Sequence, residues 1–256
     1  MKILLTGHKG FIGSNAYKYF STLHEVDGYE WGDTWPGVID YDWVLHIGAI
    51  SSTTERDIDK VLRQNYEFSV MVFDECKTFG VNLQYSSSAS VYGLNQEFRE
   101  DSPLDPKTPY AWSKYLFERY AAQHQGGNIV QGFRYFNVHG PGEDHKGAQA
   151  SPHNQFTNQA QKFGKIKLFE NSENYRRDFI HVDQVLDVHN KFLSIPKSGV
   201  WNVGTGHATS FRDVALNVAN EHNAEIELIP MPDILKSSYQ EYTCADLTLL
   251  NSTLNE

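Results

Sequence analysis

Cysteine is scarce: Cys76 and Cys244 are the only two in 256 residues. Two thiols so far apart supply neither a disulfide framework nor a zinc site, so no metal centre is expected and a reducing, cytoplasmic setting fits. Positive charge is also short, with 22 Lys and Arg against 32 Asp and Glu and a formal net charge of −10. A chain of that balance, without a Lys/Arg block, is not expected to bind nucleic acid. No stretch approaches the roughly 20 apolar residues of a membrane span. The opening MKILLTGHKG has only a short apolar run, far below the core of a signal peptide. Internal repeats, low-complexity tracts and obvious flexible linkers are absent too. What is present is 40% hydrophobic and 21% charged residues. That is the composition of a globular protein long enough for one elaborated domain or two joined ones, with small molecules as partners.

Along the chain, short apolar runs alternate with helical spacing. KILLTG reads as a buried parallel strand that breaks into the glycine-rich GHKGFIGSNAYKYFSTL, a turn leading into an amphipathic helix. HEVDGYEW and YDWVLHIGAI read as the next strands, residues 57–79 as a helix, VNLQYSSS as a strand, the segment after Pro109 as a helix, and NIVQGFRYFN as a strand. This alternation predicts an α/β fold, a Rossmann-like doubly wound parallel sheet with ligands at the carboxyl ends of its strands. After about Gly140 the order weakens. A smaller C-terminal α/β substrate-binding domain is expected there, giving residues 1–140 to cofactor binding and 141–256 mainly to substrate, with some segments returning to the first domain.

Three groups of residues carry chemistry. Gly7, Gly10 and Gly13 directly follow a strand and open a helix, where glycines allow a tight turn and close approach of a pyrophosphate to the helix amino terminus. Glu30, at the end of the second strand, is the best-placed acid for an adenosine ribose, with Asp27 as runner-up. An acid there and the lack of Lys or Arg between Lys18 and Arg56 lean toward NAD, whereas Lys9 inside the glycine loop could serve a 2′-phosphate. NADP or NAD therefore stays open. Tyr110 and Lys114 lie four apart on a helix, so phenol and ammonium share a face, and a nearby cation is expected to lower the phenol's pKa. In YSSSASVYG, Ser86, Ser87 and Ser88 leave a strand some two dozen residues earlier, where a hydroxyl could hold a substrate alcohol. His181 and Asp183 in RDFIHVDQV have no third ligand or nucleophile at matching spacing and are read as structural.

The glycine loop, serine run, Tyr-x-x-x-Lys and FRYFNVHGP, in this order and spacing, resemble the extended short-chain dehydrogenase/reductase superfamily over nearly the whole chain. The resemblance implies Tyr110 as acid/base, Lys114 as ribose ligand and tuner of the tyrosine, and Ser87, with Ser88 as alternative, as the substrate-orienting hydroxyl. It adds Phe11, Ile12, Ile47, Gly48, Ala49 and Asn65 to the cofactor-binding positions. GAISSTTERD, FRYFNVHGPGEDHKGAQAS, LFENSENYRRDFIHVDQV, GVWNVGTGHATSF and IPMPDILKSSYQEYTCADLT are similar to segments of the ADP-L-glycero-D-manno-heptose 6-epimerases. That implies an epimerase of a nucleotide-diphospho sugar that removes a hydride, passes through a ketone and returns the hydride to the other face. Lys146 would be the second proton-transferring group, and Asn137, Val138, Phe169, Glu170, Asn171, Ser172, Arg177 and Tyr239 would contact substrate, Arg177 with a fork suited to a diphosphate.

The chain departs from that family in four places. The connection from Glu30 to Tyr41 is short, so the sheet is expected to lose a strand. The closing helix is expected to be missing after TCADLTLLN. Ala148 and Gln155 stand where the family has a serine and a histidine. The alternatives are a 4-epimerase or reductase of another nucleotide sugar, and a non-catalytic NAD(P)-binding regulator that has kept the fold without the chemistry. A dehydratase is disfavoured because SSSASV holds no Asp or Glu. The resemblance leaves a homo-oligomer open.

Overall fold

The computed structural model describes residues 1–232 and 240–256, so Tyr239 lies outside the described residues. The run Ile3-Leu4-Leu5 forms β1 (Lys2–Thr6), whose inner residues are fully buried. The chain continues through α1 (Phe11–Phe20), β2 (Glu25–Tyr29), β3 (Trp43–His46), α2 (Ile58–Val61), a π-helical turn (Leu62–Glu67) and α3 (Phe68–Phe79). Then come β4 (Asn82–Ser88), α4 (Pro109–Gln123), β5 (Val130–Tyr135) and β6 (Asn137–His139). The remainder is α5 (Pro152–Phe163), β7 (Lys165–Phe169), β8 (Arg176–His181), α6 (Val182–Phe192), β9 (Gly199–Val203), β10 (Ala208–Ser210), α7 (Phe211–His222), β11 (Glu225–Ile229) and α8 (Thr248–Leu254).

The main sheet has the order β2-β1-β3-β4-β5-β9, with every neighbouring pair parallel. Its residues alternate between two helical layers. Ile3, Leu5, Trp43 and Leu45 pack with Phe11, Ala16 and Phe20 of α1 and with Val182 and Leu186 of α6. One residue out of phase, Leu4 and Val44 pack with Val72 and Phe73 of α3 and Phe117 of α4. Each such fully buried side chain contributes roughly 1.5–3 kcal/mol of transfer free energy. Because β1 lies between β2 and β3, the chain reverses its direction across the sheet there. That reversal opens a crevice at the carboxyl ends of β1 and β3.

A second, smaller unit follows. β6, β8 and β10 form a three-stranded sheet, and β7 pairs in parallel with β11. Phe156 and Ala160 of α5 and Val214 and Val218 of α7 close over Ile166 and Leu168 of β7. β9 comes late in the sequence yet forms the edge of the main sheet beside β5.

Among the described residues no strand forms between β2 and β3, and β2 is an edge strand. The short connection is pinned to α3 by Glu75, which accepts from Trp35 Nε1 (2.7 Å) and the Val38 amide (3.1 Å). The expectation of a missing closing helix is corrected. Thr248–Leu254 is helical, because Leu250 packs into the cluster around Trp201 and Thr253 Oγ1 accepts from Trp201 Nε1 (3.0 Å). Those contacts come from β9, and nothing in the local sequence announces them.

Candidate active site

The glycine turn after β1 is shaped by contacts that allow no side chain. Gly7 has φ +74°, and a Cβ there would fall 2.3 Å from Gly48 Cα, while a Cβ at Gly13 would fall 1.9 Å from Gly7 O. The turns after β1 and β3 therefore touch backbone to backbone. Gly10 N–H donates to Gly7 O (3.0 Å), and the first helical bond of α1 runs from Ser14 N to Gly10 O (2.8 Å). The amides of Phe11, Ile12 and Gly13, ahead of that bond, are the unsatisfied donors of a helix start and carry the positive end of its dipole. These residues line a cavity of about 660 Å³ together with Glu30, Ile47, Gly48, Ala49, Ser51, His145 and Lys146. A second cavity of about 420 Å³ adjoins it, bounded by Thr6, Gly7, Tyr29, Glu30, Trp31, Gly48, Ala49, Ile50, Gln64 and Phe68. Glu30 Oε2 accepts the Lys9 amide (3.0 Å), which joins the glycine turn to the end of β2. A cradle of bare backbone, free helix-start amides and an acid at the adjoining cavity fits a dinucleotide.

Asn65 is placed differently from a cofactor ligand. It is buried in the π-helical turn, accepts the Ile50 amide (2.8 Å), and donates to Ile50 O (2.9 Å) and Ser113 Oγ (3.1 Å). It clamps the loop that carries Gly48 and Ala49.

Helix α4 starts where Thr108 Oγ1 accepts the Ala111 amide (3.1 Å) and Pro109 occupies the first turn, which puts Tyr110 at the helix entrance. Tyr110 shares a side-chain hydrogen bond with Ser88 at the carboxyl end of β4. Burial raises the phenol's pKa above its ordinary value, opposed by that bond. The expected lowering by the lysine is corrected. Lys114 Nζ lies 6.0 Å from the Tyr110 ring centroid and donates instead to Ser86 O (2.8 Å) and Ser86 Oγ (3.2 Å). Desolvation pushes Lys114 down to about 8, with Glu118 one helical turn on working against it.

The serine run is divided by the pleat. Ser88 meets Tyr110, whereas Ser87 points to the other face and donates to Glu118 Oε1 (2.5 Å). Glu118 also accepts from Arg134 Nε (3.0 Å) and Nη2 (2.7 Å), in a pair that is 5% exposed on each side. Ser87 is thus held in a buried ionic network away from Tyr110. Glu118 escaped the sequence reading, although its position four residues after Lys114 was a usable signal.

Lys146 sits in a 3-10 turn (Asp144–Gln149) at the glycine cradle, its ammonium 5.1 Å from the Phe11 ring centroid and 3.8 Å from Glu143 Oε2. Burial lowers its pKa, and Glu143 opposes that. Among the described residues no contact joins it to Tyr110. Asn137 and Val138 lie on β6, paired with Phe179 and Ile180. Phe169 and Ser172 line a cleft of about 860 Å³ with Pro152, Gln155, Phe156, Gln159, Lys167, Leu168, Tyr175, Phe211 and Ile229. Glu170 and Asn171 border a separate depression on the far side of Ser172. Arg177 directs its guanidinium at Arg176 O (2.8 Å) and Gln240 O (2.5 Å) and lies over the Phe211 ring. His181 and Gln184 cap α6, with the Asp183 amide donating to His181 Nδ1 (3.3 Å) and the His181 amide to Gln184 Oε1 (3.3 Å). Among the described residues no helix is long and apolar enough to cross a membrane.

With this geometry in hand, comparison with known proteins is specific. The profile of the NAD dependent epimerase/dehydratase family matches residues 36–204. The ADP-L-glycero-D-manno-heptose-6-epimerase of Brachyspira hyodysenteriae is 37% identical over 288 aligned positions, covering 98% of this chain and 91% of that protein. Among solved structures, the ADP-L-glycero-D-manno-heptose-6-epimerase of Helicobacter pylori superposes with a TM-score of 0.88 at 26% identity, over 99% of this chain and 90% of that one. The UDP-glucose 4-epimerase of Thermus thermophilus, in complex with NAD, gives 0.83 at 25% identity, over 98% and 92%.

Proposed function

Because the chain belongs to the NAD-dependent epimerase/dehydratase family, we propose that it epimerises a nucleotide-diphospho sugar through a transient ketone, with ADP-glycero-manno-heptose as substrate and C6 as the inverted centre. The likeness to the Brachyspira and Helicobacter heptose epimerases supports that substrate. The observation that carries the reaction is the Ser88–Tyr110 hydrogen bond at the carboxyl edge of the sheet, with Lys114 buried behind it.

Bound NAD or NADP supplies the hydride acceptor and, in the return step, the hydride donor. Gly7, Gly10 and the amides at the start of α1 would hold its diphosphate, and Glu30 its adenosine ribose. Ser88 orients the substrate hydroxyl, and Tyr110 serves as its acid/base while the carbon loses its hydride. After the ketone turns, the hydride would return to the opposite face of its carbon and the proton to its oxygen, so that there is no net redox. Lys114, buried and donating to Ser86 O and Ser86 Oγ, is assigned to the nicotinamide ribose. Lys146, which lines the glycine cradle, is assigned to the second substrate orientation. Asn137, Val138 and the Phe169–Ser172 segment beside the large cleft are assigned to the nucleotide sugar, and Arg177 to shaping that wall.

Proton NMR of the protein with dinucleotide and ADP-D-glycero-D-manno-heptose tests the reading. Formation of the L-glycero isomer without net cofactor reduction is expected, and Tyr110→Phe should lower turnover about 10³-fold while dinucleotide binding persists. No conversion by cofactor-loaded protein would refute the heptose assignment, and a panel of UDP-, GDP- and dTDP-sugars would then identify a 4-epimerase. If wild type converts none of these sugars the chain is a binder and no catalyst, and equal turnover by Tyr110→Phe would remove Tyr110 from the mechanism.

A further inference from the structure

The short connection between β2 and β3 carries two tryptophans with different fates. Trp35 is anchored, its indole bonded to Glu75 and set edge-on against Tyr29 (4.9 Å between centroids) and Phe68 (5.4 Å). Trp31 also meets Phe68 edge-on (5.3 Å), yet stays 43% exposed. It stands at the wall of the 420 Å³ cavity beyond the glycine turn, with Phe68 and Gln64 from the helical side and Gly48 and Ala49 from the β3 turn. Such a half-open indole, held in register by a rigid aromatic cluster, offers a flat apolar face beside a polar rim. Glu30 supplies that rim, its carboxylate fastened by the Lys9 amide (3.0 Å).

Charge around this cavity is one-sided. Glu30 lies in its wall, and Asp33 follows in the next turn. A neighbouring cation, Lys9 Nζ, is 3.9 Å from Asp33 Oδ2 and so is already balanced, while His8 Nδ1 is 4.0 Å from Glu30 Oε2. A ribose diol can donate to Glu30. A 2′-phosphate at the same place would meet a carboxylate, with that lysine partly neutralised.

We propose that Trp31 is a specificity-determining residue that stacks on the adenine of the dinucleotide and, with Glu30 and Asp33, commits this chain to NAD over NADP. The inference rests on the cofactor cradle of the proposed function and adds to it the choice of dinucleotide. It also gives the short connection a purpose: the indole forms the outer wall that additional secondary structure would otherwise supply.

Calorimetric titration of the purified protein with NAD, NADP and nicotinamide mononucleotide tests it without any turnover. Wild type should bind NAD at least tenfold more tightly than NADP. Trp31→Ala should weaken NAD binding about tenfold, the size of one base–aromatic stack, and leave nicotinamide mononucleotide unaffected. Trp31→Phe should restore most of the affinity, which separates stacking from a folding defect, and Glu30→Ser should narrow the NAD/NADP ratio. Equal binding of the two dinucleotides, or an unchanged NAD affinity in Trp31→Ala, would overturn the inference while leaving an epimerase in place. The expected binding pattern in a protein that converts no sugar would uphold it and sink the proposed function.

Discussion

Ser87 and Ser88 are adjacent and chemically identical, so replacing each by alanine isolates what the strand's pleat does with them. Ser87→Ala deletes a hydroxyl that donates to the buried Glu118 carboxylate at 2.5 Å. A hydrogen bond to a charged group contributes about 1.5–3 kcal/mol, and Glu118 keeps its two bonds to Arg134. Urea denaturation should therefore show a loss of about 2 kcal/mol, while turnover by the NMR assay stays within about twofold of wild type. Ser88→Ala deletes the bond to Tyr110 and the acceptor for the Ser90 amide (3.2 Å) in the following 3-10 turn. Losing such a cap costs about 1 kcal/mol, but losing the partner of the phenol proposed as acid/base should cost about 10²-fold in turnover. The two variants should thus separate, one in stability and the other in rate. A fall in turnover for Ser87→Ala at unchanged stability, or full turnover in Ser88→Ala, would refute this reading of the strand.

Two further outcomes follow from buried charge. Lys114 carries a folded pKa of about 8 against an ordinary 10.5. The burial penalty on its charged form is therefore complete below pH 8 and is relieved as pH rises toward 10.5, a range worth about 3 kcal/mol. Lys114→Met should abolish turnover yet stabilise the fold at pH 7 by about 1–2 kcal/mol after its lost hydrogen bonds are counted, and the gain should shrink above pH 8. Urea titrations at pH 7 and 9.5 measure this, and a variant less stable than wild type at pH 7 would contradict it. His46 and His189 are held neutral by burial, each pushed down to about 3. Their folded pKa lies below the unfolded value of 6.5, so the stability of the neutral form is complete above 6.5 and is lost as pH falls. The cost is about 1.4 kcal/mol per histidine per pH unit, or roughly 4 kcal/mol for the pair at pH 5. A urea midpoint that does not move between pH 7 and 5 would rule this out.

Much of the fold was readable along the chain because it rests on near-neighbour patterns. Ile3-Leu4-Leu5 and Trp43-Val44-Leu45 are continuous apolar runs, which suits strands covered on both faces. The glycines at 7, 10 and 13 are required by a turn within a few residues, and Tyr110 and Lys114 share a face through helical spacing alone. Contacts between distant segments had no such trace. The phenol's raised pKa, the partnership of Ser88 over Ser87, and the position of Lys146 over Phe11 depend on how β4, α4 and the turn after β6 meet in space. The C-terminal helix forms on a β9 surface contributed by residues some fifty positions earlier. Sequence by itself thus determined the parallel sheet, the glycine turn and the chemical types at the site, since each follows from periodicity or from a residue's own backbone freedom. Tertiary structure alone decided which hydroxyl meets Tyr110, where the ammonium of Lys114 goes and what walls the cavity beyond the glycine turn, because those depend on distances across the sheet that no spacing along the chain encodes.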